Sequence, residues 1–215
     1  MTILALEFST AQRSVAVLHR DGRAEAVETG GRGTNAFSLT ERILSEASVA
    51  REQIEVIAVG LGPGSYTGIR VALSIAQGWQ LARGVKLLGV SSAECLVAQA
   101  QAEKIFGRVN VVIDAQRNEF YLAAYEISPG GWREIEPLRI AALGRISPGM
   151  VTNEIWVGPE VTRWFPQGRI LFPSALMLGQ LAGERSDFVS GDKLAPIYLR
   201  AANFVKAPLP SPAAF

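Results

Sequence analysis

The feature that most constrains this chain is an internal repeat. The stretch TILALEFSTAQRSVAVLHRDGRAEAV (residues 2–27) and the stretch VNVVIDAQRNEFYLAAYEISPGGWREI (residues 109–135) share one plan. Each has an apolar strand-like run with an acid at its end (Glu7, Asp114), then a polar loop carrying Gln-Arg. A second apolar run follows and closes in a glycine turn. A repeated supersecondary unit points to two related domains. Residues 1–105 are expected to form the first, 106–207 a smaller, degenerate second, and 208–215 a mobile, proline-rich tail.

Periodicity supplies the element order. Residues 2–8, 13–20 and 23–30 read as strands, with Asp21-Gly22 as a hairpin signal. Residues 34–49 switch to helical spacing through Phe37, Ile43, Leu44 and Ala47, and Thr34 or Asn35 can cap them. Residues 54–61 and 86–91 read as strands, and 67–82 and 92–105 as helices, the last begun by a serine. The order β-β-β-α-β-α-β-α places helices between strands, which requires parallel crossovers. Further on, 154–159 and 168–173 read as short strands and 174–185 as a helix, with 195–208 undecided.

Composition narrows the function classes. With 48% apolar and 19% charged residues, the 215-residue chain can bury a core. Lys plus Arg number 21 against 20 Asp plus Glu, a balance that argues against a broad nucleic-acid surface. Cys95 is the one cysteine, so no intrachain disulfide forms; it reads as a small buried hydrophobe on a helix. One histidine, His19, excludes a paired-histidine zinc motif. No run approaches the ~20 apolar residues of a membrane span. The first residues carry no basic leader, so a cytoplasmic location is expected.

The glycine loop GPGSYTG (62–68) lies between a strand and a helix. It lacks the lysine of a P-loop, and Thr67 stands where a dinucleotide fingerprint needs glycine. Gly62 and Gly64 permit unusual backbone angles, and Ser65 and Thr67 can cap the helix. A weak anion or nucleotide contact at Gly62, Gly64, Ser65 and Thr67 is one expectation, and a tight turn that binds nothing is the other. The helix that follows is apolar over most of its circumference, through Ile69, Leu73 and Ala76 on one row and Val71, Ile75, Trp79 and Ala82 on another. Its second face needs cover, from a partner or from another layer of the same fold.

Glu7 and Asp114, each followed by an arginine (Arg13, Arg117), would suit a two-domain phosphotransferase cleft. Such a centre also needs a base, cationic phosphate clamps and metal ligands, which the sequence does not supply. The two acids therefore read as strand-end carboxylates, solvated or capping loop amides. No catalytic residue and no metal ligand is assigned.

The segments ILALEFSTAQRSVAVL, GLGPGSYTGIRVALSIAQGWQLA, LLGVSSAECLVAQ, VVIDAQRNEFYLAAYE and PIYLR, in that order, together resemble the bacterial TsaB (YeaZ) family. The resemblance implies an α/β, actin/Hsp70-like ATPase fold built from two ribonuclease-H-like βββαβαβα domains. It implies a non-catalytic scaffold or activating subunit of the complex that adds threonylcarbamoyl to adenosine 37 of tRNAs reading ANN codons. Such a subunit binds a TsaD-like catalytic subunit, is joined by a TsaE-like P-loop ATPase, and pairs with itself as a homodimer. It would meet tRNA only through the complex and would not meet a membrane. It would have no cofactor of its own, ATP or ADP belonging to the assembled complex. The interface is expected on the first two helices, at Leu39, Ile43, Ile69, Ala72, Ile75, Ala76 and Trp79.

Two positions depart from the family pattern. Glu7-Phe8-Ser9 replaces the usual Asp-Thr-Ser or Asp-Thr-Ala, and Leu39 replaces a histidine on the first helix. On the residues alone, an actin-like small-molecule kinase or ATPase using the interdomain cleft is the alternative.

Overall fold

In a computed structural model that describes residues 1–19, 22–29, 36–143 and 154–200, the chain forms two five-stranded mixed sheets. The first contains β1 (Ile3–Glu7), β2 (Gln12–His19), β3 (Gly22–Thr29), β4 (Val56–Gly60) and β5 (Lys86–Val90), in spatial order β3-β2-β1-β4-β5. The second contains β6 (Gly107–Gln116), β7 (Glu119–Ser128), β8 (Gly131–Ala142), β9 (Ile155–Gly158) and β10 (Arg169–Ile170), in order β10-β9-β6-β7-β8. In each sheet the leading strand pairs antiparallel with the next and parallel with a later one. That pattern is the ribonuclease-H-like sheet, and its presence twice gives the actin-like architecture.

Among the described residues, four helices accompany the sheets: α1 (Ala36–Glu46), α2 (Tyr66–Arg83), α3 (Ser92–Ala102) and α4 (Ala175–Gly183). In the second unit only a 3-10 turn at Val161–Arg163 lies between β9 and β10, so this half departs from the full helical complement. Thr34 and Asn35, proposed as helix caps, and the tail 208–215 lie outside the described residues. The Gln-Arg pairs also differ between the repeats. Gln12 and Arg13 open β2 in register with Thr29 and Glu28, whereas Arg117 sits in a left-handed turn with φ 59°.

The continuous apolar run of β1 follows from burial on both faces of its sheet. Leu4, Leu6 and Phe8 pack with α1 and α2 residues Leu39, Ile43, Ile69 and Ala72. Ile3 and Ala5 point the other way and pack with Ala175, Leu178 and Ala182 of α4. Alternate residues thus reach opposite layers, as strand geometry demands.

The two central helices cross over. α3 directly follows β5, yet Ala93, Leu96, Val97 and Ala100 pack on Val109, Val111 and Ile113 of the second sheet. α4 follows β10, yet it packs on the first sheet. Each sheet is therefore covered by a helix whose sequence neighbour lies in the other sheet. Cys95 is fully buried where these layers meet, in the small-hydrophobe role expected of it. The far face of the second sheet is closed by an aromatic cluster. There Phe120 meets Trp164 edge-on at 5.3 Å, and Trp156 stacks on Phe165 at 3.9 Å.

Candidate functional site

Two surfaces converge on the glycine loop: the cleft between the sheets and a groove between α1 and α2. The loop is held by the end of β1. Ser65 caps α2, its Oγ accepting from the Gly68 N–H at 3.3 Å. The Ser65 N–H itself donates to the Ser9 carbonyl at 2.6 Å. Thr67 does not cap the helix; it lies in the first turn, exposed, on the wall of the groove.

Glycine at 64 and 68 is a matter of space. A Cβ on Gly64 would lie 2.2 Å from the Ser9 carbonyl oxygen, and one on Gly68 would lie 1.9 Å from that of Phe8. Gly62 (φ 84°) is buried, its N–H donating to Ser92 Oγ at 3.2 Å and its carbonyl accepting from the Ser92 N–H at 2.8 Å. Of the four residues named for an anion contact, Gly64 and Ser65 border the cleft, Thr67 borders the groove, and Gly62 is locked inside.

The two acids of the repeat do keep equivalent backbone roles. Glu7 Oε1 accepts from the Ser9 N–H at 2.8 Å, and Asp114 Oδ1 accepts from the Gln116 N–H at 2.7 Å. Both carboxylates therefore cap the loop amide two residues on. Their surroundings differ. Glu7 is fully buried, not solvated, because Gly60 and Ser92 press on its carboxylate; Ser92 Oγ donates to Oε2 at 2.9 Å. Burial pushes the Glu7 carboxyl above its ordinary range, outweighing the hydrogen bonds from Ser9 and Ser92 that pull it down. Asp114 faces the cleft and pairs with Arg163 at 3.3 Å.

The cleft holds about 430 Å³ and is lined from the first domain by Ser9, Thr10, Ser65 and Tyr66 and from the second by Asp114, Tyr121 and Glu160. Among the described residues, its charged lining is Asp114 and Glu160, both acids. Burial and the nearby Asp114 charge raise the Glu160 carboxyl. Asp114 is offset by Arg163, and no Lys or Arg stands among the described lining residues to clamp a phosphate directly.

The groove lies on the outer face of α2. It holds about 530 Å³ and is lined by Phe37 of α1 and by Tyr66, Thr67, Arg70, Val71, Ser74 and Ile75. Phe37 is 64% exposed and Tyr66 54% exposed. Further along α2, Gly78, Trp79 and Ala82 line a second hollow beside Thr40 and Glu52.

This geometry corrects the residues named for an interface. Leu39, Ile43, Ile69, Ala72, Ile75 and Ala76 are all 5% exposed or less, spent on the chain's own core. Only Trp79 among the named set is half-buried. An Arg at position 72 would therefore put an unpaired charge in the core and cost several kcal/mol of folding, without testing any interface. The outward residues are Phe37, Tyr66, Arg70, Val71 and Leu81. Phe37 was legible as part of the helical pattern; its outward turn was not.

Known proteins bear on this arrangement. A family model described as TsaD, tRNA N6-adenosine threonylcarbamoyltransferase, matches residues 34–212. The crystal structure described as YeaZ from Pseudomonas aeruginosa superimposes with a TM-score of 0.80 at 30% identity, covering 92% of this chain and 99% of that one. The chain belongs to the TsaB (YeaZ) family. The Escherichia coli protein named tRNA threonylcarbamoyladenosine biosynthesis protein TsaB is 29% identical over 222 residues, covering 93% of this chain and 95% of that protein. The Haemophilus influenzae protein of the same name is 35% identical over 128 residues; there the match spans 57% of this chain and about half (53%) of the relative. Among the described residues, no helix is long and apolar enough to cross a membrane.

Proposed function

We propose that this chain is a non-catalytic scaffold subunit in threonylcarbamoyladenosine synthesis on tRNA, acting by binding a TsaD-like catalytic subunit through the α1–α2 groove. The observation that carries this reading is the apolar face of α2 that no other described residue covers. Ile69, Ala72 and Ala76 are satisfied by the core, yet Val71, Trp79 and the exposed Phe37 and Tyr66 still border open hollows. Burying an aliphatic or aromatic side chain yields about 1.5–3 kcal/mol, so a partner helix laid in this groove gains from several residues at once.

The names of the E. coli and H. influenzae relatives support the pathway. The lack of a cationic clamp among the described cleft-lining residues supports a chain that takes no nucleotide by itself, ATP or ADP being held in the assembled complex. A TsaE-like ATPase then joins through the catalytic subunit, tRNA is met through the complex, and two copies of the chain pair by the same groove when the catalytic subunit is absent. The small-molecule kinase or ATPase reading also needs a cationic phosphate clamp, which the described cleft-lining residues do not supply.

The test is co-purification of the tagged chain with the TsaD-like subunit of its own cells. Phe37→Asp and Val71→Asp are expected to lose the complex while keeping the parent circular dichroism. In cells carrying only those variants, threonylcarbamoyladenosine in bulk tRNA should fall. Undiminished association of both folded variants would overturn the groove as the interface.

A further inference from the structure

The segment Ala195–Arg200 was undecided in the sequence, and in the structure it forms neither helix nor strand. Its backbone is nevertheless fixed at several points. Upstream, the Val189 N–H donates to the Leu87 carbonyl at 2.9 Å, so the segment begins by covering the edge of the first sheet. Gly191 is gripped from both sides: its N–H donates to Gln80 Oε1 at 2.7 Å, and its carbonyl accepts from Gln77 Nε2 at 2.7 Å. Leu194 is buried in the first-domain core. The Ile197 N–H donates to the Leu61 carbonyl at 2.9 Å, and the Tyr198 ring stacks on Tyr66 at 5.4 Å.

Two residues later a side chain reaches across to the other domain. Arg200 donates to the Ala115 carbonyl at 3.0 Å and to the Glu119 carboxylate, both of the second domain. Ile197 and Tyr198 line the cleft between these two anchorages. The backbone passes between the two sheets earlier, from β5 through α3 to β6 and from β10 to α4. The segment thus lies on the first-domain side of the cleft and bridges to the second domain through the Arg200 side chain.

We propose that residues 194–200 are a strap that latches the two domains at one cleft opening, and that the Tyr66–Tyr198 stack ties this opening to the α1–α2 groove. Tyr66 is the shared residue: it borders both the cleft and the groove. The Arg70 guanidinium lies 5.1 Å from its ring centroid and donates to its hydroxyl. An occupant of the groove that displaces Tyr66 takes away the platform on which Tyr198 rests, and Arg200 then holds the second domain alone. The sliding surface for such a motion is the contact of α3 with α4, since each helix is packed on a different sheet. The latch is a property of the isolated chain. Only its link to a partner rests on the groove reading above.

The experiment is pulsed dipolar spectroscopy between spin labels on Leu81→Cys of the first domain and Arg133→Cys of the second. Both positions are exposed, and the native Cys95 is too buried to label. The parent pair should give one narrow distance distribution. Arg200→Ala should broaden it about twofold, as expected when a clamp on a hinge or shear motion is removed. Tyr66→Ala should broaden it as well, although Tyr66 touches only the first-domain side of the strap. Phe37→Ala, in the same groove but outside the stack, should leave it unchanged. A distribution in Arg200→Ala that superimposes on the parent would overturn the latch. Equal effects of Tyr66→Ala and Phe37→Ala, or no effect of Tyr66→Ala, would overturn the link to the groove. Circular dichroism of each variant separates an opened cleft from an unfolded chain. Loss of partner binding without any change in the distance would count against the groove coupling while sparing the interface.

Discussion

One substitution made at two places in α2 should have opposite effects. Gly68 and Gly78 both lie within the helix, where replacing Gly by Ala gains about 0.8–1 kcal/mol in intrinsic propensity. At Gly78 an added Cβ meets nothing within 4 Å, so most of that gain should appear as stability. At Gly68 the same carbon would sit 1.9 Å from the Phe8 carbonyl oxygen. That is about 1.5 Å inside ordinary non-bonded separation. The contact is backbone against backbone, so no side chain can rotate away.

Relief requires α2 to lift off the end of β1. Overpacking of this kind costs about 1–3 kcal/mol. Straining the Ser65 N–H bond to the Ser9 carbonyl adds about 1 kcal/mol. After the propensity gain is subtracted, Gly68→Ala should destabilise by about 1–3 kcal/mol and Gly78→Ala should stabilise by about 0.4–1 kcal/mol. For a chain of this length, each kcal/mol moves Tm by about 2–4 °C. The assay is urea denaturation followed by circular dichroism, with thermal melts alongside. A Gly68→Ala protein as stable as the parent, or more so, would refute the close approach of β1 and α2 on which the loop geometry depends.

Other outcomes follow from buried groups. Glu7 has its carboxyl raised by burial, so the folded chain holds a proton there that the unfolded chain releases. Its contribution to stability is therefore full below the ordinary carboxylate range, near 4.5, and is lost as pH rises through the raised folded value. Glu7→Gln cannot ionise, so its stability relative to the parent should climb from pH 4 toward pH 8; a constant difference in urea midpoints over that range would remove the assignment. Cys95 is fully buried, with burial and the nearby Glu7 charge pushing its thiol well up, so native protein should resist a thiol reagent that reacts at once in urea. Rapid labelling of the folded chain would contradict the packing of α3 and α4. Leu81 is 90% exposed, so Leu81→Ser should change the urea midpoint by no more than ~0.5 kcal/mol equivalent, as surface substitutions do, whereas Leu96→Ser, fully buried, should unfold much of the population.

Much of the fold could be read from local pattern. The repeated strand–acid–loop–strand unit, the glycine turn before α2 and the helices at 92–105 and 174–185 all recur near where the spacing places them, though the cap of α3 is Ser91, one residue before the serine named. These features are short-range: burial on both faces makes a strand apolar throughout, and a helix start needs an acceptor for its free N–H groups. Glu7 was legible as an acid at a strand end, and its loop-capping role followed from the shared plan with Asp114. Its complete burial did not, because Ser92 and Gly60 reach it from distant parts of the chain.

The site depended most on tertiary contacts. Helical periodicity showed that α2 is apolar nearly all round, but it could not say which row faces the core. The sheet took Ile69, Ala72 and Ala76, leaving Val71 toward the groove and Trp79 toward the second hollow, both beside Phe37, with the buried Ile75 at the floor of each. Nothing local marks α3 and α4 as covering each other's sheets, and PIYLR carries no period that would announce a strap. Propensity, capping and alternation act over a few residues, so the sequence alone determined most of the elements and their order, β8 (Gly131–Ala142) being the strand it left unread. Which face each element buries is settled by the pairing of surfaces far apart in the chain, and only the tertiary structure holds that information.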